Sequence, residues 1–119
     1  MPEQKLWPEA LWTVSVDDSG FHGTDHTGTI MTLALADLSG VIIETNDSGP
    51  VGADVWWLLF GADRNLGFAF PQGATGDKAV VDHLMKLPGF NFEEMIKAMA
   101  SPDNATFILW RPRFDSAGG

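Results

Sequence analysis

The sequence predicts an α+β fold: an antiparallel sheet of about five to seven strands with two short helices near the C-terminus. Three observations carry this. The first seventy positions read as short strand-like segments punctuated by turns, several of them alternating apolar and polar residues. After residue 78 the apolar spacing becomes helical. A further strand-like run, TFILW, follows the second helical stretch. At 119 residues the chain is read as one domain spanning 1–119.

Taken in order, Trp12, Val14 and Val16 alternate with Thr13 and Ser15, and Asp17-Asp18-Ser19-Gly20 ends that strand. FHGTDHTG reads equally as a short strand or a loop, since its glycines interrupt any pattern. Ile30 to Leu35 is a strand with Met31, Leu33 and Leu35 on one face, and ADLSG turns the chain into VIIET, Val41 to Thr45. NDSGPVGA carries turn-forming combinations and is expected to be a loop. DVWWLLF, the turn GADRN and LGFAF complete the first part. Val80, Val81, Leu84 and Leu87 then mark a helix stopped by Pro88-Gly89. The second helix opens at Asn91, with Glu94 at its third position and Phe90 set to staple onto Met95. Its apolar stripe is Phe92, Met95, Ile96 and Met99, and Ser101-Pro102 ends it. Thr106 to Trp110 is the last strand, and 112–119 is expected to be a frayed tail.

WTVSVDDSGF, then ALADLSGVIIET, then DVWWLLFG resembles small bacterial proteins with a pleckstrin-homology-like strand pattern, over residues 12–70. The resemblance implies a partial barrel. It does not bring that superfold's phosphoinositide binding with it, because the early hairpin has neither Lys nor Arg. The superfold also ends in one long helix, whereas this chain has two short helices and another strand.

Charge narrows the partners. The net charge is −9, with ten acids against two bases in residues 1–66 and six against five in the rest. Such a field repels phosphate backbones, so no nucleic-acid partner is expected. Apolar runs such as VWWLLF are only strand length, so no membrane partner is expected either. MPEQKLWPEALW lacks the basic and apolar regions of a signal peptide, and a cytoplasmic location is expected. The sequons at Asn46 and Asn104 are then read as accidental. The chain has no cysteine, hence no disulfide and no thiolate ligand.

PQGATGDK stands between a strand and a helix, where a phosphate loop would stand. Gly73 and Gly76 bracket only two residues, Asp77 precedes Lys78, and Ala79 occupies the place of a metal-binding hydroxyl. The simpler expectation is a helix cap supplied by Thr75 or Asp77. His22, Asp25 and His26 are weak candidates for a metal site, since imidazole and carboxylate suit zinc and even spacing on a strand shares a face. Their glycine-rich context favours an ordinary turn, and neither metal nor cofactor is expected. No activated serine or other nucleophile is recognisable, so catalysis is not expected.

The aromatic residues remain. Trp56 and Trp57 point to opposite faces of one strand, with Leu58 and Phe60 beside the first and Val55 and Leu59 beside the second. Phe107 and Leu109 likewise oppose Ile108 and Trp110. Core packing on both faces is the ordinary explanation. Trp56, Trp57 and Trp110 are the candidate binding residues if one face meets a partner. The leading expectation is a non-enzymatic protein-interaction domain whose partner is another protein or itself, as a homodimer. Two alternatives stay open: a small-ligand-binding protein or enzyme with a pocket between helices and sheet, and an acidic inhibitor or immunity-type protein for a basic partner.

Overall fold

The computed structural model describes residues 11–49, 52–100 and 105–111. The N-terminal stretch 1–10, the Ser101-Pro102 helix stop, the Asn104 sequon and the expected tail 112–119 lie outside the described residues. Among the described residues, seven strands and two α-helices form an α+β fold with the helices in the C-terminal half.

The first sheet holds β1 (Thr13–Val16), β2 (Gly20–Thr24) and β3 (Ile30–Ala34) as an antiparallel meander. Val16 stands opposite Phe21, and Phe21 opposite Leu33, so the inner face collects Val14, Phe21 and Leu33 in the core. Thr13, Ser15 and Thr32 face outward and are exposed. FHGT is thus strand, fixed by its two neighbours, because its own residues carry too little period to declare it. Leu35 leaves the strand and opens a 3-10 turn, Leu35–Asp37.

The second sheet has the order β6-β5-β4-β7, all pairs antiparallel, from β4 (Gly40–Gly49), β5 (Gly52–Phe60), β6 (Leu66–Pro71) and β7 (Ala105–Trp110). The expected loop NDSGPVGA is mostly strand: β4 runs on to Gly49 and β5 starts at Gly52. Hairpin pairing there overrides the turn propensity of the residues. The ladders form two separate sheets rather than one closed barrel. The sheets meet where Leu33 of β3 presses on β6: a side chain at Gly67 would approach the Leu33 methyl to 3.2 Å. Gly67 lies at the irregularity in register between β5 and β6. The Phe21 and Phe68 rings, 5.9 Å apart, join the same seam from the two sheets.

Helix α1 (Asp77–Met85) buries Val80 and Leu84, as the spacing predicts. Its cap differs from expectation. The N-cap is Gly76 at φ 89°, without a side-chain cap bond. Asp77 turns back instead, and its Oδ2 accepts the Gly73 N–H at 2.8 Å. The carboxylate closes the glycine turn from within, and its charge still stands at the positive end of the helix. Thr75 bridges to β1, its N–H donating to Trp12 O at 2.8 Å while its carbonyl accepts from Val14 N at 2.9 Å.

Helix α2 (Phe92–Ala100) is capped as expected, by Asn91 Oδ1 accepting the Glu94 N–H at 3.0 Å. Glu94 itself pairs with Lys97. Ala98 is the fully buried residue of α2 and shares the core with Ile43 and Leu109. Phe92, Ile96 and Met99 of the expected apolar stripe are exposed, and Met95 is half-buried. Ala98 lets the helix lie close to the sheet, and that contact rotates the larger apolar side chains outward.

Candidate interaction surface

Register sorts the four-stranded sheet into two faces. Ile43 stands opposite both Trp57 and Phe107, and Trp57 opposite Phe70, so these four share a face. This inner face, with Val41, Leu59 and Phe68, packs against the helices and the first sheet. On the other side Leu58 stands opposite Ile42 and Ala69, and Ile42 opposite Ile108. One step along, Phe60 is opposite Gly40 and Leu66; one step back, Glu44 is opposite Trp56 and Thr106.

The two faces differ in cover. Trp57 and Leu59 have no exposed surface, while Trp56, Leu58, Phe60 and Ile42 are half-buried. Leu66 is 54% exposed and Ile108 46%. The outer face is therefore an apolar strip crossing all four strands, with Glu44 its charged side chain among the described residues. A connected strip of this kind is uncommon on a free surface, whereas single exposed apolar residues are ordinary.

The three tryptophans are not one patch. Trp57 stacks parallel to Phe70 at 6.2 Å in the core, and its Nε1 donates to Gln72 Oε1 at 3.1 Å. Trp110 is half-buried, and its Nε1 donates to the Pro88 carbonyl at 2.8 Å, tying β7 to the loop between the helices. Trp56 belongs to the outer face and meets Trp12 edge-on at 5.2 Å. The surface thus rests on Trp56 and on aliphatic residues beside it. Leu58 and Phe60 were visible as its neighbours by alternation. Ile42 and Leu66 were not, because only the register between strands brings them to the same side.

The β1 and β7 edges are each partly occupied. Asn91 N–H donates to the Leu109 carbonyl at 2.7 Å, occupying part of the outer edge of β7. Thr75 occupies part of the outer edge of β1.

His22, Asp25 and His26 serve separate turns. His22 Nε2 lies 3.0 Å from Asp17 Oδ1 and 3.1 Å from Ser19 Oγ. Ser19 Oγ donates to that same Asp17 oxygen at 2.7 Å. The hydroxyl proton thus goes to the carboxylate, and the three side chains together lock the turn between β1 and β2. The Ser19 hydroxyl, then His22, then backbone N–H groups hold the Asp17 carboxyl well below the usual carboxylate range. Asp25 Oδ1 accepts from Thr27 Oγ1 at 2.6 Å, Thr27 N at 2.8 Å and Thr29 N at 3.0 Å, and its carboxyl is lowered chiefly by the Thr27 hydroxyl. His26 packs on Trp12 with ring centres 5.6 Å apart. Among the described residues no three His, Cys, Asp or Glu side chains are grouped to hold a metal ion, and no helix is long and apolar enough to cross a membrane.

Comparison of the chain with protein-family models, with curated proteins and with solved structures finds no match, so its functional reading rests on its own surfaces.

Proposed function

We propose that the chain is a non-enzymatic protein-interaction domain that associates with a second copy through the outer face of its four-stranded sheet. The observation that carries this is the strip through Leu66, Phe60, Leu58, Ile42 and Ile108, apolar on a face that the helices leave uncovered. Face-to-face packing suits this strip, because its side chains project from the face of the sheet rather than from a strand edge. Two such faces can stack about 10 Å apart with their strands roughly aligned. The footprint is modest. Four strands at about 4.8 Å by five residues at about 3.4 Å give roughly 300 Å², short of the ~800 Å² per partner of a standard interface. The expected complex is therefore weak and concentration-dependent.

Sedimentation equilibrium over the micromolar range tests it, with Ile108→Lys as the variant. The parent should associate and the variant should do so markedly less, with unchanged circular dichroism. A parent that stays monomeric throughout refutes the reading.

A second reading, an acidic inhibitor of a basic partner, is favoured by the −9 charge and its concentration in residues 1–66. Its mark would be binding to a basic protein that weakens steeply with salt.

A further inference from the structure

Helix α2 presents an apolar surface on the other side of the sheet from the strip described above. Ala98 turns the helix's inner side into the core beside Ile43 and Leu109. Phe92, Ile96 and Met99, spaced i, i+4, i+7, point away from it and are 50%, 63% and 39% exposed. This spacing forms one ridge along a helix, the pattern by which a helix packs on another helix. Both ends of the ridge are anchored. The Phe92 ring meets the buried Phe90 at 5.0 Å, and the Met99 sulfur accepts the Gln72 amide at 3.5 Å. Anchored side chains have less freedom left to lose on binding.

We propose that this ridge is a second docking surface for another copy of the chain, with the two α2 helices antiparallel across a two-fold axis near Ile96. The charges beside the ridge choose the occupant and its direction. Glu93 and Lys97 are four residues apart and flank the ridge on the same side. Antiparallel pairing about Ile96 sets Phe92 near the partner's Met99. It also brings Glu93 alongside the partner's Lys97, within about half a turn along the axis, and repeats the pair by symmetry. Parallel pairing gives no such exchange. Lys97 is already 3.0 Å from Glu94. That pair is solvent-exposed on the lysine side and contributes little, so sharing the ammonium with the partner's Glu93 costs little.

This inference does not rest on the sheet-face reading. If both hold, each chain carries two isologous interfaces on opposite sides of one sheet. Such a chain assembles beyond a dimer, closing as a dimer of dimers when the two axes cross at right angles.

The test is sedimentation equilibrium of the full chain with five variants. Ile96→Glu changes an exposed side chain, so circular dichroism should be unchanged while the dissociation constant of the α2 contact rises at least about tenfold. Glu93→Lys and Lys97→Glu should each weaken association, and the doubly exchanged chain should recover most of the loss. Ile96→Glu with unchanged association overturns the proposal, as does a double exchange no better than the single ones. Association lost in Ile108→Lys but kept in Ile96→Glu supports the sheet face and sinks the helix contact, and the opposite pattern does the reverse. A monomeric parent that instead binds a synthetic Leu/Lys amphipathic helix, with loss of that binding in Ile96→Glu, would assign the ridge to a basic partner and overturn self-docking.

Discussion

The indole N–H of Trp57 donates to Oε1 of Gln72 across 3.1 Å, joining a side chain with no exposed surface to one at the protein surface. The glutamine satisfies a donor that would otherwise be buried without a partner. Gln72→Leu should therefore destabilise the fold by about 1–3 kcal/mol, towards the lower end because water can reach an exposed position. Gln72→Glu keeps an acceptor and should lose less. Urea denaturation followed by tryptophan emission reads both. A Leu variant as stable as the parent would show that the bond contributes nothing.

The turn before α1 gives a second prediction. Gly76 has φ 89°, and a Cβ there would run into the Val14 carbonyl oxygen. Gly28 has φ 90° but open space around the same atom. Both Ala variants incur the left-handed backbone cost of about 1–2 kcal/mol, and only Gly76→Ala adds the clash. Gly76→Ala should be the less stable by thermal melting. Equal losses would mean that the β1 contact yields easily.

These two sites also show what the sequence made legible. The glycine-rich turn was readable as a strand-to-helix connection, because its spacing fails a phosphate loop. The choice of Gly76 over Thr75 or Asp77 as the N-cap was not readable, since it depends on the approach of β1. Asn91 was readable as a cap from local chemistry alone, and Asn91 Oδ1 does accept the Glu94 N–H. Alternation in β5 separated Trp56 from Trp57 but could not say which was covered. That depends on which face receives α2, a long-range outcome. For the same reason the apolar stripe of Phe92, Ile96 and Met99 was readable but its exposure was not: periodicity reports a face and not what lies against it.

Asp17 supplies a pH prediction. Its Oδ1 accepts from Ser19 N, Ser19 Oγ and Gly20 N, and contacts His22 Nε2, so the folded carboxyl titrates well below the usual carboxylate range. A depressed folded value stabilises the fold above the unfolded-state value, near pH 4, and that contribution is lost as pH falls from there towards the folded value. Asp17→Asn should then lose stability relative to the parent at pH 6, with the gap narrowing by pH 2.5. A carboxyl NMR titration should place the Asp17 midpoint well below the usual aspartate range. A midpoint in the ordinary range would remove the premise.

Salt separates self-association from capture of a basic partner. Each chain carries −9, so two copies repel at long range. Both proposed contacts are mainly apolar, and their attraction does not fall when charges are screened. The Debye length shrinks from about 10 Å at 0.1 M to about 3 Å at 1 M, which removes most of the repulsion between exposed charges. The exchanged Glu93–Lys97 pairs weaken as well, but exposed pairs contribute only about 0–1 kcal/mol each. The balance favours association as sodium chloride is raised from low to molar concentration. A complex with a basic partner changes in the opposite direction, because its opposite charges are screened. Sedimentation of the parent at several salt concentrations reads the sign directly. Self-association that weakens as salt rises would mean that charge pairing, and not the apolar strip or the α2 ridge, holds the copies together.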